Sequence, residues 1–165
     1  MSRHLYFVCP TDNLEKLIEE KYPQENYYLT SLGNSIKFSN DFIVEINGLI
    51  EAKGIEKVTF VLSKNNHFIL DGIKSKQFSK IRELKEFYAI ISEKKNDCSK
   101  SYKEENIQTL ITSYFLNLKI KELSLNLFNW ISPKVDIDAK LYNKEKNSFS
   151  QVQIDLLEPS SVFLN

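Results

Sequence analysis

Glycine and proline are scarce in this chain, with four of each among 165 residues. That leaves no room for a flexible linker or a low-complexity segment. One domain over residues 1–165, with a sizeable core, is the expectation at this length. Cysteine is scarcer still. Cys9 and Cys98 are too few for a disulfide scaffold, so a reduced, cytoplasmic setting is expected. Neither sign of charge is in excess, Lys+Arg and Asp+Glu standing at 22 each, which predicts no nucleic-acid partner and no anionic membrane surface. No apolar run nears the roughly 20 residues needed to cross a bilayer. The opening MSRHLYFVCP has too short an apolar stretch for a signal peptide and enters a strand almost at once.

What the chain does have is aromatic residues, 11 Phe and 8 Tyr, and a regular alternation of strand and helix patterns. Leu5–Cys9 reads as a first strand, ended by Pro10. Asp12 with Glu15 resembles a capping box and predicts a helix to about Lys21, with Leu14, Leu17 and Ile18 inward. Asn26–Ser31 is a second strand, and Leu32-Gly33-Asn34 a turn. Ser39, Asn40 or Asp41 caps a helix carrying Phe42, Ile43, Ile46, Leu49 and Ile50 on one face, and Gly54 suits a left-handed C-cap. Residues 57–67, KVTFVLSKNNH, form the stretch around which the rest is arranged. Val58, Phe60 and Leu62 alternate with Thr59 and Val61, so both faces are largely apolar, as in a central parallel strand.

Further on, a helix is expected over 78–95, a polar loop over 94–104 and a helix over Glu105–Leu118. Leu123–Ile131 fits either a strand or a helix, with helix favoured because Pro133 precedes a better strand at Val135–Tyr142. Asn143–Asn147 is a turn, and Phe149–Leu156 returns antiparallel. Asp136 and Asp138 read as the polar side of an edge strand, and Trp130 as a candidate interface residue. Such alternation predicts an α/β fold: three layers, a mainly parallel central sheet and helices on both faces. Open α/β sheets bind ligands at the carboxyl ends of their strands. That groups Cys9, Thr11, Asp12, Gly33, Asn34, Ser63, Asn66 and His67 as the lining of a candidate cleft.

Taken as local wording, Cys9-Pro10-Thr11-Asp12-Asn13, Thr30-Ser31-Leu32-Gly33-Asn34, Ser63-Lys64-Asn65-Asn66-His67 and Ile137–Lys144 resemble, in order, the motifs of the β-class carbonic anhydrases. In that family the corresponding strands end in C-x-D-x-R, R-N-A-G-N, H-x-x-C-G and I-H-G-W-V-Y-D-I-x-T-G. The resemblance runs from Tyr6 to about Ile154. It implies a β-carbonic-anhydrase-like fold and, since the family dimerises, a homodimer. The family's N-terminal helices are expected to be missing, because the first strand begins at once.

The departures carry the functional expectation. The family binds zinc through two cysteines and a histidine. Here Cys9 has a counterpart, while the other two positions hold Ser63 and Asn66, neither of which replaces an imidazole or a thiolate. The family's catalytic Asp–Arg pair is replaced by Thr11 and Asn13, and Asp12 reads as a helix cap. The metal that brings bound water to a pKa of about 7 therefore lacks its ligands. The expectation is a non-catalytic, metal-free relative, without catalytic residues or cofactor, whose former cleft binds a small anion or polar ligand or contacts a protein. The alternative is a metal-dependent, carbonic-anhydrase-like lyase or hydrolase with a zinc site rebuilt from Cys9, His67 and Cys98. A third reading is a purely structural or interaction module. Ser63 lacks both a G-x-S-x-G elbow and an identifiable base, so it is not read as a nucleophile.

Overall fold

The computed structural model describes residues 1–98, 103–128 and 135–153. The chain alternates β1 (Arg3–Val8), a 3-10 turn (Pro10–Asp12), α1 (Glu15–Lys21), β2 (Glu25–Thr30), a second 3-10 turn (Leu32–Asn34), α2 (Asn40–Lys53) and β3 (Lys57–Ser63). Then come α3 (His67–Ile73), a third 3-10 turn (Arg82–Leu84), α4 (Lys85–Cys98), α5 (Glu104–Phe128), β4 (Asp136–Asn143) and β5 (Ser148–Gln151). The strands form a five-stranded sheet in the order β2-β1-β3-β4-β5. All neighbours are parallel except β4 and β5. β3 is the middle strand, flanked by β1 and β4.

The alternation along each strand sorts side chains onto two unequal faces. Leu5, Phe7, Val58, Phe60, Leu62, Ala139 and Leu141 point to the larger core, where α2, α3, α4 and α5 pack through Ile43, Ile46, Phe68, Ile69, Phe87, Ile91, Ile111, Phe115 and Leu116. Tyr6, Val8, Val61 and Tyr142 point the other way and meet Leu14 and Ile18 of α1. Aromatic rings fill the larger core at its centre: Phe7 stacks on Phe60 with centroids 4.7 Å apart, and Phe38 stands edge-on to both.

Local signals set several boundaries. Ser39 Oγ accepts the Phe42 N–H and starts α2, and Gly54 closes that helix at φ 60°, a conformation glycine adopts without a Cβ penalty. No helix among the described residues is long and apolar enough to cross a membrane.

Elsewhere the structure departs from the sequence reading. Asp12 does not cap α1, whose N-cap is Leu14 with no side-chain hydrogen bond; its carboxylate turns instead toward β3. Residues 67–73 form a helix that hydrophobic spacing did not announce, started by Asn66 Oδ1, which accepts the Phe68 and Ile69 N–H groups. The helix expected from Phe78 begins only at Lys85. The Asp71 carboxylate accepts the N–H groups of Gln77 and Phe78, and this fixes them in a loop. α4 then runs on through Cys98, which is buried rather than part of a polar loop. Glu104 to Phe128 is one continuous helix. The last strand, expected over Phe149–Leu156, ends at Gln151; Trp130, Ile131, Pro133 and residues 154–156 lie outside the described residues.

Asp138 is not on an edge strand. It is buried, accepting from Thr59 Oγ1 (2.7 Å) and Gln151 Nε2 (3.0 Å) and pairing with Lys57 Nζ at 2.8 Å. Burial pushes its carboxyl up, but the Lys57, Thr59 and Gln151 hydrogen bonds outweigh that and hold it below the usual carboxylate range.

Candidate functional site

The carboxyl ends of β1 and β3, with the turn after β2, bring Cys9, Asp12, Gly33, Asn34, Ser63 and Asn66 into one cluster, in which Cys9 bonds Gly33, Asp12 bonds Ser63 and Asn66, and the Asp12 N–H donates to the Cys9 carbonyl. Asn34 is fully buried, and its Nδ2 donates to the carbonyls of Phe7 (3.3 Å) and Val61 (3.1 Å), tying the two strand ends together. It holds φ 56° and the preceding Gly33 φ 59°. At Gly33 the left-handed backbone is matched by close packing. A Cβ there would lie 3.1 Å from the Phe87 ring and 3.2 Å from Phe68 Cβ.

Cys9 is fully buried. Its Sγ accepts the Gly33 N–H at 3.1 Å and lies 3.1 Å from Thr11 Oγ1. Asp12 is the hub of the cluster. Its Oδ2 accepts the Ser63 N–H at 2.8 Å, and Asn66 Nδ2 stands 3.1 Å from both carboxylate oxygens. Burial pushes the Asp12 carboxyl above its usual range, and the Ser63 and Asn66 hydrogen bonds only partly oppose that. The Asn66 amide is thereby oriented on both sides, donating to Asp12 and accepting from α3. Asn34 Oδ1 is buried without a hydrogen-bond partner among the described residues.

These contacts make Asp12→Ala a measurable loss. It strands the Ser63 N–H and one end of the buried Asn66 amide, and each buried donor left unmade costs about 1–3 kcal/mol. We expect unfolding free energy to fall by about 2–3 kcal/mol in urea titrations. A change below about 0.5 kcal/mol, as at ordinary surface sites, would show that Asp12 holds nothing together.

The expected residues do not all join the cluster. Thr11 reaches it through its hydroxyl although the residue is exposed at the rim. His67 is exposed, and its ring leans on Phe68 and Phe78 at 5.9 and 5.7 Å. Cys98 is buried at the end of α4. Cys9, His67 and Cys98 do not form a metal-holding group, and no group of three or more His, Cys, Asp or Glu does so among the described residues. The donors present do not fit zinc. Ser63 and Asn66 contribute neither thiolate nor imidazole, and the Asp12 carboxylate already accepts from both residues at those positions.

An open cleft lies next door, and none of the eight expected residues lines it. It measures about 250 Å³ and sits between the segment 35–39, α4 and α5. Phe87, whose ring covers Gly33, forms part of its wall. Phe115, Lys119, Glu122 and Asn126 come from one side of α5, at the three- and four-residue spacing of a helix face. Lys119 was missed in the sequence because it falls just past the expected helix Glu105–Leu118, where a lysine reads as solvated. Here it is 5% exposed.

A scan against protein-family models gives no match, and a sequence search of curated proteins gives none. Comparison with solved structures does. A tetrameric β-carbonic anhydrase of the filamentous ascomycete Sordaria macrospora superposes with a TM-score of 0.75 at 9% identity, covering 92% of this chain and 80% of that one. The β-carbonic anhydrase CafA of Aspergillus fumigatus gives 0.73 at 10% identity, over 96% and 79% of the two chains. The Coccomyxa β-carbonic anhydrase in complex with acetazolamide gives 0.71 at 8% identity, over 92% and 72%. The chain therefore has the β-carbonic anhydrase fold, as the wording of its strand ends implied.

Proposed function

We propose that this chain is a non-catalytic, metal-free protein built as a single domain on the β-carbonic anhydrase fold, and that it works by binding a small anion or polar ligand. The observation that carries this reading is the Asp12 hub. Ser63 and Asn66 stand where the resemblance puts the family's histidine and second cysteine, and Asp12 ties both into the structure by hydrogen bonds. The strand-end groups are joined to one another rather than aimed at a shared centre. Self-association, by analogy with the tetrameric enzyme of Sordaria macrospora, and a cytoplasmic location belong to the same proposal.

Elemental analysis of protein purified without an affinity tag tests it. We expect zinc far below one per chain in folded protein, and carbon dioxide hydration no faster than in buffer. Stoichiometric zinc together with hydration, both lost in Cys9→Ala, would replace this reading with a rebuilt zinc enzyme.

A further inference from the structure

The cleft between the segment 35–39, α4 and α5 contains a charge that its position makes unusual. The Lys119 ammonium donates to the Ile36 carbonyl at 3.0 Å and to Glu122 Oε2 at 2.9 Å. It also stands over the rings of Phe38 and Phe115, 5.6 and 5.5 Å from their centroids. A buried ammonium is costly unless paired, and the aromatic faces supply part of the compensation. Its carboxylate partner is not buried with it. The Lys119 side chain is 7% exposed and that of Glu122 40%. The other ion pair of the cleft, Lys37 with Glu86 at 2.9 Å, is exposed on both sides.

This asymmetry sets the sign of the site. The carboxylates of Glu122 and Glu86 are partly open to water, where they are screened, whereas the Lys119 charge sits over the Phe38 and Phe115 rings in a lower-dielectric wall. The shape is equally selective. A volume of about 250 Å³ lies just below the roughly 300 Å³ at which drug-sized ligand sites begin, and is too small for a nucleotide.

We propose that this cleft binds a small organic carboxylate with a flat or branched apolar body: the ligand's carboxylate takes the place of the Glu122 carboxylate on Lys119, and the body rests against Phe38, Phe87 and Phe115. Glu122 is exposed enough to swing into solvent when displaced. The inference rests on the binding function proposed above and gives that function a location and a ligand class.

Benzoate titrated into ¹⁵N-labelled protein, followed by NMR, is the test. Amide shifts should concentrate at residues 35–39 and on the facing parts of α4 and α5, saturating with a Kd of about a millimolar, as expected for so few atoms. Lys119→Met keeps the stem and removes the charge, and should weaken binding about tenfold, the weight of one charge-assisted hydrogen bond. Glu122→Gln removes the competing carboxylate and should tighten binding about threefold. Benzamide, the neutral isostere, should bind about tenfold more weakly than benzoate. The last two comparisons decide the matter even where Lys119→Met fails to fold. Equal affinity for benzoate and benzamide overturns the proposal, as does the absence of cleft shifts at saturating benzoate. Shifts clustered at Cys9, Thr11 and Gly33 instead overturn the location while leaving the binding function standing. Zinc with hydration activity overturns the non-catalytic reading without touching the cleft.

Discussion

Truncating Phe60 to alanine is expected to lower the unfolding free energy by about 3–5 kcal/mol, the usual cost of emptying a buried aromatic site. Phe60 is fully buried in the middle strand. Its ring stacks on Phe7 at 4.7 Å and meets the edge of Phe38 at 6.2 Å, so one truncation removes the partner of two others. The strands on both sides leave little freedom to close the cavity. A typical domain has about 5–15 kcal/mol in total, so urea midpoints of the variant and wild type should be well separated at 25 °C. A loss below about 1.5 kcal/mol would mean that the core repacks as readily as it does for a volume-conserving swap. There is a functional consequence as well. Phe38 leans on Phe60 and also stands over Lys119. Phe60→Ala should therefore loosen the wall of the cleft and weaken benzoate binding without touching the ligand.

Asp71→Ala should destabilise by about 3–4 kcal/mol, through hydrogen bonds rather than packing. This buried carboxylate accepts from the Tyr88 hydroxyl, Ser75 Oγ (3.0 Å), the Gln77 N–H (3.0 Å) and the Phe78 N–H (3.2 Å). It thus holds the loop after α3 against α4. Tyr88→Phe deletes one of these contacts and should cost only about 1 kcal/mol. The pH dependence has a definite sign. Burial pushes the Asp71 carboxyl up, but hydrogen bonds from Tyr88, Gln77, Phe78 and Ser75 outweigh that and hold it below the usual value of 3.8. In acid the unfolded chain therefore takes up this proton before the folded one does, and stability rises with pH through that interval. The contribution is fully present above about pH 3.8 and is lost as the pH falls through the folded value. The gap between wild type and Asp71→Ala should be constant from pH 5 to 7 and narrow below pH 4. A gap that widens in acid would show that Asp71 is protonated in the folded protein.

Neither Asp71 nor Lys119 stood out in the sequence, and the reason is the same for both. Asp71 lies in a stretch with no helical spacing and Lys119 just past the expected helix Glu105–Leu118, and a lone charge in either place reads as surface. Only a partner distant in the chain, such as Tyr88 for Asp71 or Ile36 for Lys119, reveals that it is buried. Asp12 was noticed, but its role was read from its neighbours. The D-N-L-E spacing suggested a local cap, whereas the side chain bonds to residues 51 and 54 positions away. Local and long-range hydrogen bonding compete for the same oxygens, and here the long-range partners won. The helix over 67–73 was hidden for a different reason. It is short, and its start depends on one side-chain cap, Asn66, rather than on several turns of apolar spacing.

The sequence by itself determined the framework. The two-residue period of Leu5–Val8 and Val58–Leu62 and the helical period of α2 and α5 decide which side chains go inward, because both periods are properties of the local backbone. The sequence also determined that the strand ends carry Cys9, Ser63 and Asn66, since a side chain's chemistry does not depend on where the chain carries it. Only the tertiary structure decided how they are joined: Asp12 bonding to Ser63 and Asn66, and a cleft opening beside them around a buried Lys119. Those outcomes depend on contacts spanning 51 to 83 residues, and such contacts form only once sheet and helices have packed.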